Sequence, residues 1–554
     1  MNHRKRLQQQ ENLVQRLAAV LGKDGQTVDV MQTPISWVLV TALWAYKIRK
    51  AVQFDFVDFS TLAARCHDCH EELRLNRRLA AALYLDVVAI TGSADQPSLD
   101  GAGEAIEYAV RMHAFSQQSL WSSRLALHRL TTADIDQLAI LMAHFHQAAA
   151  VAGGSSSAGT PASIRQTAEE TLALIDSRIT GSVQRQQLAR ITDWQILQHQ
   201  QLDALFTLRK TQGQVRECHG DLHSGNILTE HGEVIPFDCL EFAVQLRWID
   251  VLSEMAFISM DLQCHARPDL ANRLLNQYLE ITGDYEGVPV LRYYEVQRAL
   301  VRCKVALLRN DQHVSDAGPA MTPAQQARDY LAFSAEHCVA PPGAILITHG
   351  YSGSGKSTVS GCVATIVGAI RIRSDVERKR LHGITAGAGA GAVAAAAPDG
   401  GIYAQAGTTL TYQRLGVLAR GVLAAGLPVV IDAAFLKRDQ RGLFERLARE
   451  LGVPFLILDC QASDATLRTR LAARSQDVSD ADVTVLVNQM AHADALSPDE
   501  LKTTIVFDSG LVATTQALME FIAPVLRRLN IRTNPVPPAA AGAFQGGGVM
   551  DRPT

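Results

Sequence analysis

The 554-residue sequence predicts two domains of different class, an α+β domain followed by a three-layer α/β domain built on a parallel sheet. Three observations carry this expectation. The chain is longer than the roughly 100 to 200 residues that one domain usually takes. At "SAEHCVAPPGAILITHG" a helical pattern gives way to Pro341, Pro342 and Gly343, and then to an apolar strand. On either side of that break stands a different phosphate-handling sequence, "ECHGDLHSGNILTEHGEVIPFD" (217–238) before it and "HGYSGSGKST" (349–358) after it. The expected boundaries are 1–335, a linker at 336–343, 344–530, and a disordered Pro/Gly/Ala-rich tail at 531–554.

Composition narrows the class. Hydrophobic residues make up 47% and charged residues 19%, ordinary values for a soluble globular protein. A net charge of -4 lacks the basic excess that dense contact with a nucleic-acid backbone needs. The basic start continues into a Gln/Glu run where an export signal would carry its apolar segment. "ISWVLVTALWAY" is too short to span a bilayer and, being β-branched and aromatic, reads as strands. A cytoplasmic protein without membrane contact is expected, its nine cysteines being buried thiols. "CHDCH" at 66–70 has the spacing of covalent haem attachment, yet "LAARCHDCHEELRLNRRLAAAL" reads as one charged amphipathic helix, so no haem is expected. "VAGGSSSAGTPAS" reads as a mobile loop and "TAGAGAGAVAAAAPDGG" as a flexible low-complexity insertion.

In the first domain, His219-Gly220-Asp221 through Asn226 has the Asp-to-Asn spacing of a kinase catalytic loop. Asp221 can receive the proton of an acceptor hydroxyl, and Asn226 can ligate a metal on the nucleotide. "TEHGEV" reads as a hairpin turn, after which "VIPFD" is a strand delivering Asp238 as the second metal ligand. Such a site needs a strand lysine paired with a helix glutamate. "WAYKIRK" offers Lys47, alternating with apolar residues, and the next helix offers Glu72, with Lys50 and Glu71 as competitors. The stretch before the lysine, "GKDGQTVDVMQTPISWVLVT", contains no G-x-G-x-x-G.

In the second domain the strand "AILITH" runs into a complete G-x-x-x-x-G-K-S and a helix. Gly350, Gly353 and Gly355, with Ser352, Ser354 and Thr358, would turn backbone N–H groups toward phosphates, Lys356 would add a point charge, and Ser357 a hydroxyl for Mg²⁺. "GLPVVIDAAF" ends a strand at Asp432, a second Mg²⁺ ligand. "IRIRSDVERKRL" ends a strand near Asp375, with Arg378 one helical step on. Asp375 can act as the acceptor-side base or, more simply, as a helix cap, and its strand is expected beside the phosphate-loop strand. Arg470 and Arg474, four apart, would share one helix face, either closing over the transferring phosphate or lying solvated.

These motifs carry two resemblances. Residues 344–530 resemble the small P-loop kinases that phosphorylate hydroxyls, such as gluconate-kinase-like enzymes and the kinase half of polynucleotide kinases, with "SDVER" as the specific link. This implies that Asp375 is the base and that Arg378 binds substrate or phosphate. The first domain, with Gly220, "GNIL" and the returning strand, resembles aminoglycoside phosphotransferases and choline- and sugar-kinase-like enzymes, although Ser224 stands where Pro is common. The resemblance implies a protein-kinase-like fold, roles for Asp221, Asn226 and Asp238 as base and metal ligands, and support of the catalytic loop by Asp250. The order of the two is similar to a bacterial family in which an aminoglycoside-phosphotransferase-like domain is fused to a P-loop NTPase fold. It implies a bifunctional phosphotransferase using ATP and Mg²⁺ on hydroxyls of small molecules. The alternatives are a nucleotide-controlled regulator with a degenerate first domain, and a nucleic-acid end kinase, which the acidic balance disfavours.

Overall fold

The computed structural model describes residues 3–22, 27–54, 57–311, 322–340, 343–384, 405–473, 483–508, 515–528, 531, 533 and 534. The chain forms two compact units, Met1–Thr167 with Phe206–Asp261, and Ala168–Leu205 with Leu262–Thr554.

In the first unit the strands are β1 (Asp29–Gln32), β2 (Ser36–Val40), β3 (Trp44–Arg49), β4 (Gln53–Phe54), β5 (Val57–Asp58), β6 (Tyr84–Gly92), β7 (Pro97–Leu99) and β8 (Glu107–His113). Six of them make an antiparallel sheet in the order β1-β2-β3-β8-β6-β7. Side chains on a strand alternate between faces, and β3 uses both. Tyr46 and Ile48 join Leu13, Val14 and Leu17 of helix His3–Leu21 in one core, whereas Ala45 packs with Cys69 of helix Leu62–Ala80 in another. Lys47 and Arg49 therefore share the face of Ala45, toward the second helix. That helix contains "CHDCH", with Thr61 as its N-cap, Cys69 buried and Cys66 half-buried on another side, as the amphipathic pattern requires.

Further on, β9 (Val215–Glu217), the hairpin β10 (Ile227–Glu230) and β11 (Glu233–Pro236), and β12 (Trp248–Asp250) frame the catalytic-loop sequence. His231 and Gly232 turn the hairpin at φ 51 and 82, the positive values a two-residue hairpin loop demands. The Gly/Ser-rich stretch expected to be mobile is instead docked on β9. Ala152 N–H donates to the Val215 carbonyl, Glu217 N–H donates to that of Ala150, and a Cβ on Gly159 would fall 2.3 Å from Val215.

The second unit contains a helical part and the α/β fold. In the helical part Ile175, Leu188 and Ile191 pack with Val296, Leu300 and Cys303 of helix Val288–Asp311 and with Leu331 of helix Pro323–His337. The α/β fold has five parallel strands, β13 (Ile345–His349), β14 (Ile370–Arg373), β15 (Val429–Asp432), β16 (Phe455–Gln461) and β17 (Thr504–Asp508), in the order β14-β15-β13-β16-β17. Leu346, Val430, Leu456 and Leu458 pack with helices Lys356–Val367 and Thr515–Arg528. Ile345, Ile347, Val429 and Ile431 are equally buried on the other face, where helices Gln405–Ala424 and Arg438–Leu451 lie. Burial on both faces is why these strands read as continuous apolar runs. One expectation is corrected: β14, which leads to Asp375, pairs with the Asp432 strand β15, and β15 separates it from the phosphate-loop strand.

The insertion at "TAGAGAGAVAAAAPDGG" lies outside the described residues, as does Arg474. The expected start of the tail is also corrected. Ile531 is buried in the α/β core, and Asn534 bonds the carbonyls of Thr365 and Ile366, so the packed chain reaches at least residue 534. Burying one large aliphatic side chain is worth about 1.5 to 3 kcal/mol. A chain ended after residue 530 should therefore be less stable by about that amount than one ended after 534, measured by urea unfolding.

Candidate functional site

In the first unit, Lys47 Nζ lies 2.8 Å from Glu72 Oε1 and 2.5 Å from Asp238 Oδ1. The competitors are engaged elsewhere. Lys50 donates to the Thr33 carbonyl, and Glu71 pairs with Arg74. Glu72 is fully buried and gives its other oxygen to Arg49 at 2.6 Å; Arg49 also pairs with Asp68 at 2.5 Å and with Glu241. Burial acts against the charge on Lys47, but Asp238 and Glu72 outweigh it and raise its pKa. Burial likewise favours protonation of Asp238, but the Lys47 ammonium overrides it and lowers that pKa. Burial, with Glu72 and Asp68 nearby, pushes Glu241 up to about 8 against the lowering effect of Arg49 and Lys47.

The catalytic loop hangs on a buried glutamate. Glu254, on helix Val251–Cys264, accepts the N–H of His219 at 3.1 Å and of Gly220 at 2.6 Å, and its Oε2 pairs with His146 at 2.9 Å. Burial alone would raise its pKa, but these partners bring it down to about 2. The role implied for Asp250 thus falls to a residue one helical turn later. Asp250 itself holds Arg209 with both oxygens, at 2.6 and 2.7 Å. His219 is neutral because burial lowers its pKa. Its Nδ1 accepts the Asp221 N–H at 3.3 Å, so the proton sits on Nε2, donated to the Phe237 carbonyl at 2.9 Å. Gly220 has φ 90, and a Cβ there would stand 3.1 Å from the Leu246 carbonyl. Both facts require glycine where protein kinases keep arginine.

The loop brings Asp221 and Asn226 together. Asn226 donates to the Asp221 carboxylate and carbonyl, each at 3.0 Å. Asp238 sits at φ 60, fixed by its own N–H to the Tyr84 hydroxyl and by Cys239 N–H to Asn76. The hairpin before Lys47 turns through Thr33, Pro34 and Ile35, without glycine.

In the second unit, β13 leads through the glycine loop into helix Lys356–Val367. A Cβ on Gly350 would be 2.4 Å from the Cys460 carbonyl, and Gly353 and Gly355 have φ 86 and 88. Lys356 Nζ donates to the Tyr351 carbonyl at 2.7 Å, and Gln489, invisible to motif reasoning, accepts the Ser352 N–H at 2.9 Å. A cleft of about 1290 Å³ is lined by Lys356, Ser357, Thr358, Asp375, Arg378 and Asp432. Asp375 lies in the first turn of helix Ser374–Leu381, whose N-cap, Arg373, makes no side-chain capping bond. Arg470 donates to the Gly353 carbonyl at 3.2 Å, which places it against the glycine loop.

The residues fit a bound metal–nucleotide. Asp432 is 5% exposed; among the described residues its Oδ2 accepts no hydrogen bond and has Arg373 Nε 3.6 Å away, which leaves the oxygen available to a bound cation. The Ser354 hydroxyl is likewise buried without a partner inside the loop.

Residues 59–289 match the model of the phosphotransferase enzyme family, and residues 345–496 match that of an AAA domain. Uncharacterized proteins of Mycobacterium tuberculosis and Mycobacterium bovis are 29% identical over 462 residues, covering 83% of this chain and 88% of theirs. Among solved structures, a choline/ethanolamine kinase family protein from Mesorhizobium loti is 11% identical, covering 60% of this chain and 96% of its own, with a TM-score of 0.38. A sugar kinase from Janibacter sp. is 23% identical, covering 34% and 96%, with a TM-score of 0.26. The chain thus carries a segment matching the phosphotransferase family model, followed by a P-loop fold on a five-stranded parallel sheet.

Glu254 yields a pH prediction. Its folded-state pKa is lowered from the ordinary 4.5 to about 2, so its stabilisation is full above pH 4.5 and is lost as pH falls toward 2. The span corresponds to roughly 3 kcal/mol. Glu254→Gln should be less stable than the parent by about that amount at pH 7 in urea unfolding, and the gap should narrow markedly by pH 3.

Proposed function

We propose that the protein is an ATP- and Mg²⁺-dependent phosphotransferase with two kinase-type sites, each acting on a hydroxyl of a small molecule. The observation that carries this is the single cleft on which the glycine loop, Asp432, Asp375 and Arg378 meet. ATP bound with Mg²⁺ supplies the phosphoryl group and a charge-neutralising cation. Lys356 and the loop N–H groups bind the phosphates, and Ser357 and Asp432 hold the metal. Asp375 accepts the proton of the acceptor hydroxyl as its oxygen forms the new bond to the γ-phosphorus and the bond from that phosphorus to the bridging oxygen breaks, releasing ADP, and Arg378 orients the acceptor or the transferring group. In the first unit Lys47, held by Glu72, binds phosphate, Asn226 and Asp238 hold the metal, and Asp221 is the base.

The intact Lys47–Glu72 pair supports a working first site. The hairpin without glycine favours a second reading, in which this unit binds a nucleotide or ligand without transferring phosphate. Asp221 and Asp238 separate the two. In a working kinase, Asp221→Asn spares nucleotide binding and lowers transfer by about 10²-fold or more. Asp238→Asn weakens Mg²⁺-dependent binding. Transfer unchanged in both variants, with Lys356→Ala present to silence the other site, removes the catalytic assignment.

For the second unit, Asp375→Asn should keep ATP affinity within about threefold and lower single-turnover transfer by about 10²-fold or more, the scale of a lost general base. The acceptor is found by screening sugars, polyols, aminoglycosides and nucleosides for ATP-dependent phosphorylation. A near-normal rate in Asp375→Asn removes this residue from the mechanism.

A further inference from the structure

The helix Pro268–Thr282 lies against the P-loop sheet where that sheet would otherwise end. β14 is its outermost strand, and an outermost strand presents unpaired N–H and C=O groups. Asn276 answers both kinds. Its Oδ1 accepts the Arg371 N–H at 2.6 Å, and its Nδ2 donates to the Ala369 carbonyl at 2.9 Å, joined there by Asn272 at 3.0 Å. The Tyr285 hydroxyl donates to the Arg371 carbonyl at 3.3 Å.

Along β14 the side chains alternate. Ile370 and Ile372 are buried, while Arg371 and Arg373 turn to the other side and meet one carboxylate. Glu280 takes Arg371 Nη2 on Oε2 at 3.0 Å and Arg373 Nη1 on Oε1 at 2.8 Å. Both arginines then reach the groups assigned to the metal. Arg371 Nη1 donates to the Ser357 carbonyl at 3.2 Å. Arg373 Nε stands 3.6 Å from Asp432 Oδ2, the oxygen that lacks a hydrogen-bond partner.

We propose that Glu280, a residue of the phosphotransferase-family segment, is a positioning residue of the P-loop site: through Arg371 it fixes the chain at Ser357, and through Arg373 it keeps Asp432 open to a divalent cation. This rests on the reading of Ser357 and Asp432 as metal ligands. The physical reason is competition for one carboxylate oxygen. Burial works against the charge on Arg373, but Glu280 and Asp432 more than offset this, so the guanidinium is a permanent cation. With Glu280 in place, Arg373 makes its hydrogen-bonded ion pair there and meets Asp432 only at the longer ion-pair distance of 3.6 Å. Without Glu280, the nearest counter-charge is Asp432, and closing 3.6 Å to a direct charge-assisted bond would occupy the oxygen that the metal needs.

The test measures binding of a fluorescent ATP analogue to the full chain as Mg²⁺ is varied, with Asp238→Asn present to suppress the first site. Adding Lys356→Ala should abolish the signal. If the signal persists, the P-loop is not its source, and the underlying reading fails whatever Glu280 does. With that established, Glu280→Gln, which keeps size and removes charge, should raise the half-saturating Mg²⁺ concentration about fivefold or more, the low end of ordinary coupling between sites. Adding Arg373→Gln removes the competitor, so the double variant should return to within about twofold of Arg373→Gln alone. An unchanged Mg²⁺ requirement in Glu280→Gln would overturn the proposal. So would the same shift whether or not Arg373 is present, because a damaged sheet edge acts without Arg373.

Discussion

A carboxylate taken out of water must be answered by donors, and in this protein that requirement fixes the positions of the reactive groups. Three glutamates show it. Glu72 divides its oxygens between Lys47 and Arg49 on β3. Glu254 divides its oxygens between the backbone of His219 and Gly220, with His146 behind. Glu280 divides its oxygens between Arg371 and Arg373. Each joins segments far apart in sequence, and each leaves a reactive group beside it: Lys47, the Asp221 loop and Asp432. Two donors on one buried carboxylate make a rigid joint, because releasing either partner leaves an uncompensated charge.

The same constraint explains why the first site keeps its shape without a glycine-rich hairpin. A glycine loop orders phosphates by backbone N–H groups; here the ordered element is a cluster of charged side chains. Two cations, Lys47 and Arg49, face Asp68, Glu72, Asp238 and Glu241. Asp238 is the most exposed of the four carboxylates, at 43% of its side chain, although its Oδ1 is held by Lys47.

Much of this was legible in the sequence, for a physical reason. The glycine loop, the Asp221 to Asn226 spacing, the hairpin at His231-Gly232 and the strand-borne Lys47 are local devices, and local geometry fixes which residues they use. Glu72 is separated from its competitor Glu71 only in the structure, where helical phase puts it with Cys69 on the face toward β3. What stayed hidden was every partner brought in from a distance: Arg49 with Glu241, Glu254 with the loop backbone, Gln489 with Ser352. Spacing carries no trace of such pairs. The sheet order was missed for the same kind of reason, since chain order does not state that β15 lies between β13 and β14.

The Pro/Gly break at 341–343 marks where one sequence pattern stops and another starts, and packing does not stop there. β14 has one neighbour strand, and its other edge is closed by amide and hydroxyl groups from residues 272, 276 and 285. An isolated P-loop fold cut at the break would expose that edge together with two arginines deprived of their carboxylate. An open strand edge is a template for pairing with another chain, and Arg371 and Arg373 would lose the carboxylate that both share. The segment that completes the P-loop sheet is therefore written into the region matched by the other family model. That placement gives the fusion a structural reason which holds whether or not the two sites share an acceptor.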